Sequence, residues 1–361
     1  MKRLFSFVLA AALMLALAAC GQSAPSSAPA SPASSAAPQG GASPSSQAGD
    51  DGLTGHIVMY TSDPQEIITE VFEAFTAKHP GVTYELFRSG TGNLTTKMSA
   101  ELDAGGTPCN LFSFADFSYI YSLEDKGLIH HWTPEGAKNL AEPSLAVGGD
   151  LGYVYHVECT AIAYNTTLVQ NPPKDWGNLA DPSLKGLVAF ADPGYSGASF
   201  STLVTHINNS DKVGWKFYED MKANDLKFEQ SNGNLQSKVA SGEYAAVVIV
   251  DYMARNAKAE GAPVEVVYPE SGGVMIYSPA CIMSSVKDED LPAVQAFVEF
   301  LLSDEGQAVY TKYNYLPVTT TAASPAGAPT LSEIKLMPLD VDFFLKNSDE
   351  IRQKYETIFS K

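Results

Sequence analysis

Val82-Thr83-Tyr84-Glu85-Leu86-Phe87-Arg88-Ser89-Gly90-Thr91-Gly92-Asn93 decides how the chain is read. Its first half alternates in the manner of a strand, and Leu94 to Asp103 continues with helical spacing. Between them lies a glycine-bracketed Ser/Thr turn. A turn of this kind leaves backbone N–H groups and hydroxyls converging on one spot, where the helix dipole favours an anion. An ordinary helix cap uses the same residue types, so the turn needs companions before it reads as a ligand cradle.

The companions are found on both sides. His56 to Ser62 is a short apolar run with β-branched and aromatic content, and Asp63-Pro64 enters a helix whose Ile67, Val71, Phe72 and Phe75 recur at helical spacing until Pro80-Gly81. Asn110 to Ala115 is a third strand with Asp116 at its carboxyl end. Strand, helix, strand, helix, strand implies an α/β fold with a mainly parallel sheet, whose ligand edge lies at the strand carboxyl ends. Thr61, Ser62, Arg88, Ser89, Gly90, Thr91, Gly92 and Asp116 all fall on that edge.

Further along, Leu151 to Val157 and Thr160 to Tyr164 read as strands that pass into a second segment. There Leu187 to Asp192 is a strand, and Tyr195-Ser196-Gly197-Ala198-Ser199 repeats the cradle chemistry before a helix. Helices over 212–222 and 234–241 flank a short strand at 226–229, and the apolar strand Ala245 to Val250 ends at Asp251-Tyr252 before a helix carrying Arg255. Val264 to Tyr268 and Val274 to Ser285 read as strands leading back. Leu291 to Leu302, Glu305 to Tyr313 and a final segment near Ser348 to Phe359 read as helices.

The amino terminus has a different character. Lys2 and Arg3, an apolar run from Leu4 to Ala19 and the small residues before Cys20-Gly21 resemble the lipobox leader of bacterial lipoproteins, in which the cysteine is lipidated. Residues 1–19 are therefore expected as a signal peptide and 20–54 as a lipidated tether. Ser, Ala, Pro, Gly and Gln dominate the tether and leave it nothing to bury, so it should stay disordered and span about 30 Å. This places the body at the cell membrane, facing outside the cytoplasm.

Composition narrows the partners. Hydrophobic residues make up 45% of the 361 residues, enough for a large core in two domains. The formal net charge is −18, which makes nucleic acid a poor partner. Cys109, Cys159 and Cys281 remain after Cys20, and one disulfide with a buried thiol or three buried thiols fit equally well.

Several stretches then occur in an order that resembles the periplasmic solute-binding proteins of ABC importers, in the branch with ferric-ion, phosphonate and sugar-phosphate binders. They are Ile57 to Ser62, Ser89-Gly90-Thr91-Gly92, Thr160 to Asn165, Asp175-Trp176 with Leu179 to Gly186, Ala191-Asp192-Pro193 with Ser196-Gly197, and Gly261 to Gly272. The resemblance implies a type II two-lobed fold, with lobe 1 at 55–158 plus 270–361 and lobe 2 at 159–269, joined by crossing hinge strands and closing on a solute. It implies a monomeric binding protein rather than an enzyme, with no cofactor and with a permease and an ATPase as partners. Carried over residue by residue, it puts Thr61, Ser62, Ser89, Thr91 and Gly92 on one side of the cleft and Tyr195, Ser196, Gly197 and Tyr252 on the other. Ferric binders of this branch use adjacent tyrosines where this chain has Tyr252-Met253, and a histidine where it has Ser62-Asp63-Pro64. Those departures place iron second.

Arg88 and Arg255 flank the cradles in an acidic chain, as if to clamp an anion, and Asp116 and Asp251 are candidates for an amino or hydroxyl group on the same ligand. An organic phosphate or phosphonate ranks above ferric ion, with a carboxylate or sugar also open. Gly194-Tyr195-Ser196-Gly197-Ala198 also approaches a hydrolase nucleophile elbow, but Ala198 replaces the required glycine and no histidine stands in a recognisable setting. His156, Glu158 and Cys159 do not all share a strand face and are read as structural rather than metal ligands. Tyr310, Tyr313 and Tyr315 are read as helix packing.

Overall fold

Alternation of apolar residues with turn signals becomes, in a computed structural model describing residues 52–326 and 328–359, two sheets with helices packed on them. The first part of the chain runs β1 (Thr54–Thr61), α1 (Gln65–Lys78), β2 (Gly81–Arg88), α2 (Thr91–Asp103), β3 (Leu111–Ser113), α3 (Phe117–Glu124), β4 (Ala146–Val147) and β5 (Gly152–Val154). The second runs β6 (Glu158–Asn165), β7 (Val188–Ala191), α4 (Gly197–Asn208), α5 (Gly214–Ala223), β8 (Lys227–Glu229), α6 (Asn232–Ser241), β9 (Ala246–Val250), α7 (Asp251–Ala259), β10 (Val264–Val267) and β11 (Val274–Ile276). The chain then returns through β12 (Pro279–Ile282) and finishes with α8 (Leu291–Leu302), α9 (Asp304–Lys312) and α10 (Val341–Phe359).

The first sheet has the order β2-β1-β3-β12-β5-β4 and the second β10-β6-β9-β7-β8, with β11 also paired to β6. β1 is parallel to β2 and β3, and β7 is parallel to β8 and β9. The sheets are nevertheless mixed. β12 runs antiparallel to β3, and β6 runs antiparallel to β9, because these strands arrive from the neighbouring sheet and not through a helical crossover. Residues 155–157 carry the chain out between β5 and β6, and residues 277–278 carry it back between β11 and β12. β11 itself stays with the second sheet, beyond the boundary drawn at residue 269.

α1 shows how sequence becomes packing. Its apolar positions Ile67, Ile68, Val71, Phe72 and Phe75 are all buried, and the Phe72 ring stacks between Tyr84 at 4.2 Å and Phe297 at 4.1 Å. β9 is buried along its whole length, as its Ala-Val-Val-Ile-Val sequence requires of a central strand covered on both faces.

Some elements differ from the sequence reading. α3 follows Asp116 directly, and α10 starts at Val341, well before Ser348. α10 lies across both parts of the body: Phe344 meets Phe117 of α3 and Phe200 of α4 edge-on, and Tyr355 meets Phe228 of β8. Cys109, Cys159 and Cys281 are buried free thiols, which decides between the two alternatives. The leader, Cys20 and nearly all of the tether lie outside the described residues. Among the described residues, no helix is long and apolar enough to cross a membrane.

Candidate ligand-binding cleft

Five helices, α1, α2, α4, α6 and α7, begin at the wall of one cavity of about 610 Å³. α2 opens from Gly90, with no side chain capping its end. α4 opens from Ser196, whose hydroxyl accepts from the Ser199 N–H at 3.3 Å. α6 opens from Ser231, whose hydroxyl accepts from the Asn234 N–H at 3.2 Å. Each start follows a parallel strand, so the sheet topology aims the positive ends of these helix dipoles at the same space. The Asn232 amide donates to the Ser196 hydroxyl at 3.5 Å and ties the last two ends together.

Arg88 adds a full charge to those partial ones. Its guanidinium donates to the Asp63 carbonyl at 3.0 Å and to the Ser62 carbonyl at 3.3 Å. It forms no ion pair with a carboxylate among the described residues, and a cation held only by carbonyls keeps its charge available to a ligand.

The floor of the cavity lies at the crossing segments. Asp63 is buried there and accepts from the Tyr155 hydroxyl at 2.8 Å and the Tyr310 hydroxyl at 3.0 Å. Its other oxygen meets His156 Nε2 at 3.1 Å. Burial by itself opposes the charge on Asp63, but the His156 charge and these hydrogen bonds outweigh it and hold the carboxyl below its ordinary value. Burial likewise opposes the charge on His156, and the facing Asp63 raises it. Glu158 also lines the cavity. Desolvation pushes its carboxyl up to about 8, with Asp63 and Asp251 adding to the rise and His156 opposing it. Beside them the Tyr252 and Tyr315 rings stack at 3.8 Å, and burial raises both phenols well above their ordinary range.

Of the residues singled out from sequence, Ser62, Arg88, Ser89, Gly90 and Thr91 line the cavity from one side, and Tyr195, Ser196, Gly197 and Tyr252 line it from the other. Thr61, Gly92, Asp116, Asp251 and Arg255 do not reach it. Thr61 is buried and accepts from the Asp63 N–H at 3.1 Å. Asp116 caps α3 by accepting from the Tyr119 N–H at 3.2 Å. Asp251 accepts from the Cys159 N–H at 3.0 Å, the Tyr252 N–H at 2.9 Å and the Tyr268 hydroxyl at 2.8 Å. Arg255 donates to that carboxylate at 2.6 Å and to the Asn314 carbonyl at 2.6 Å, so its charge is taken up inside the fold.

The sequence reading passed over other groups. His156 and Glu158, read as structural, face the cavity, whereas Cys159 is buried away from it. Tyr315, read as helix packing, lies on the cavity wall against Tyr252. Ser231-Asn232-Gly233-Asn234 is a third turn of the Ser89 type, and its composition was the available signal. The hydroxyl of Ser196 is engaged in capping, and no histidine bonds to it among the described residues.

This two-sheet arrangement is similar to several solved structures. The periplasmic binding protein P5PA superposes with a TM-score of 0.74 at 20% identity, covering 84% of this chain and 99% of its own. The periplasmic binding protein AfuA of Actinobacillus pleuropneumoniae, with exogenous fructose-6-phosphate bound, gives 0.74 at 23% identity, covering 84% and 98%. Iron-bound HitA of Pseudomonas aeruginosa gives 0.73 at 21% identity, covering 84% and 99%. At such identities these likenesses show the fold. An uncharacterized protein of Haemophilus influenzae is 26% identical over 321 residues, 83% of this chain and 88% of that protein. The model of the family described as bacterial extracellular solute-binding protein matches residues 70–335, which is most of the chain and includes every wall of the cleft except the first turn after β1. The chain belongs to the bacterial extracellular solute-binding proteins.

Proposed function

We propose that this protein captures a small organic anion, a phosphate or phosphonate ester, outside the cytoplasm and delivers it to an ABC permease without transforming it. The observation that carries the reading is the meeting of the α2, α4 and α6 N-termini with Arg88 at one cavity. Helix starts favour phosphate-like charge, and a volume of about 610 Å³ suits a small organic molecule better than a bare ion. The fructose-6-phosphate in the similar AfuA structure supports the same class. Ser62, Ser89, Gly90, Thr91, Tyr195, Ser196, Gly197 and Tyr252 are the proposed contacts alongside Arg88. The protein works as a monomer, held at the membrane by lipid on Cys20, and Cys20→Ala is expected to release it into the soluble fraction.

Ferric ion is the second reading, motivated by the Tyr252 and Tyr315 phenols on the cavity wall and by the iron-bound HitA likeness. Burial raises both phenols well above their ordinary range, which opposes the tyrosinate form that a ferric site of this kind uses. Calorimetry against glycerophosphate, hexose phosphates, 2-aminoethylphosphonate and ferric citrate separates the readings. Heat of binding with a phosphate ester or phosphonate, lost in Arg88→Ala, is the expected result. Tight ferric binding with a tyrosinate charge-transfer band that disappears in Tyr252→Phe would replace it with the iron reading.

A further inference from the structure

Two side chains on the cavity floor each leave a polar group without a hydrogen bond among the described residues. Glu158 is the first residue of β6, directly after the crossing segment, with its backbone in register with Ile276 of β11. Its carboxyl feels burial and neighbouring charges but forms no hydrogen bond with a described residue. His156 stands two residues earlier and is 2% exposed. Its Nε2 meets Asp63, while its Nδ1 is buried without a hydrogen-bond partner among the described residues. Both residues line the cavity. A buried polar atom is normally paired, so the orphaned Nδ1 of His156, together with the half-buried and unbonded Glu158 carboxyl, marks the place where a ligand completes the bonding.

We propose that Glu158 and His156 form a second subsite that takes the hydroxyl-bearing end of the ligand, so that the solute is a polyhydroxylated phosphate ester. This rests on the anion reading above and extends it to the far end of the same molecule. The groups facing the subsite select hydroxyl over ammonium. Asp63 and His156 offset one another as an ion pair, and Asp251 is neutralised by Arg255. The Tyr252 and Tyr315 phenols stay neutral, and Arg88 is the cation near Tyr252. With His156 charged, its Nδ1–H donates to a hydroxyl oxygen and repels an ammonium. Glu158, protonated near neutral pH, both donates to a hydroxyl and accepts from one.

The chemistry makes Glu158 a specificity residue with a pH signature. Its ionisation above about pH 8 puts a carboxylate beside a bound anion and removes a donor, so affinity falls as pH rises through that value. The test is calorimetry on the full chain with fructose 6-phosphate, 2-aminoethylphosphonate and inorganic phosphate. Wild type is expected to favour fructose 6-phosphate over the other two by about tenfold or more. Glu158→Ala removes most of that preference and leaves inorganic phosphate within about twofold. Glu158→Gln, an isostere of the neutral acid and a check that the fold survives, keeps the preference and loses the decline above pH 8. Glu158→Ala binding fructose 6-phosphate like wild type, or an equal preference for 2-aminoethylphosphonate, overturns the subsite alone. Failure of wild type to bind any of the three probes overturns the anion reading and the subsite with it.

Discussion

His206 of α4 shows how one buried ring sets a pH limit on the fold. It packs edge-on against Trp176 at 4.7 Å, bonds the Tyr218 hydroxyl through Nδ1 at 3.0 Å, and has no partner at Nε2 among the described residues. Burial alone lowers it from 6.5 to about 3. The folded state therefore excludes a proton that the unfolded chain binds below about pH 6.5, and stability falls as pH drops from there toward 3. His156 has the opposite sign: its raised value adds stability below the unfolded pKa and withdraws it as pH climbs through the folded one. We predict that urea unfolding midpoints drop between pH 7 and pH 5, and that His206→Phe flattens this drop. An equally steep loss in the variant would assign the acid sensitivity to other groups. The same contrast between like residues governs the arginines. Arg255 is four residues after Asp251 on one helix, the spacing at which opposite charges pair, and that spacing announces its internal use. Arg88 ends a strand, has no acid so placed, and remains facing the cleft.

At the scale of elements, legibility follows the length and isolation of the pattern. α8 was readable to its ends because Leu291 to Leu302 is a continuous apolar helix stripe that begins beside Pro292 and stops at Ser303. α1 and β9 were readable for the same reason. α3 is not readable in this way, because it is only eight residues long and its cap, Asp116, reads in the sequence as a ligand group at a strand end. The first turns of α10 were hidden because Phe343 and Phe344 are adjacent and follow a Pro-containing stretch, so the buried positions Phe344, Ser348, Ile351 and Tyr355 show a period only once the helix is seen. The cradles on α2 and α4 were visible as Ser/Gly turns between strand and helix, and the cradle on α6 carried the same letters. The floor was less visible, since His156 and Glu158 share a strand face in any reading. What that face meets depends on where two chain crossings pass, and that is a property of the assembled sheets. Tyr315 belongs to the same class, being brought to Tyr252 from far along the chain.

The two halves of the body meet across the cleft as backbone against backbone, and glycine is what allows it. A Cβ on Gly90 would stand 2.5 Å from the Tyr195 carbonyl oxygen, and one on Gly92 would stand 2.3 Å from the Gly194 carbonyl oxygen. Across the seam a Cβ on Gly197 would stand 2.5 Å from Thr91 Oγ1 and 2.7 Å from the Ala115 carbonyl oxygen. Backbone oxygens cannot swing aside as a side-chain tip does, so an added methyl has to move one half away from the other. Gly92 is the second residue of α2, where alanine favours the helix over glycine by less than the ~1 kcal/mol of a helix interior. Gly92→Ala is thus expected to leave thermal stability near wild type while holding the cleft open. In small-angle scattering, wild type should compact when fructose 6-phosphate is added, and the variant should stay expanded and bind about tenfold or more weakly, because the closed arrangement is the one with both walls in contact with the solute. Gly233→Ala is the control. It also lines the cavity, but its Cβ meets only the Ser231 hydroxyl at 3.7 Å, so compaction should be retained. If Gly92→Ala compacts and binds as wild type does, the contact at Gly194 does not set the closed position.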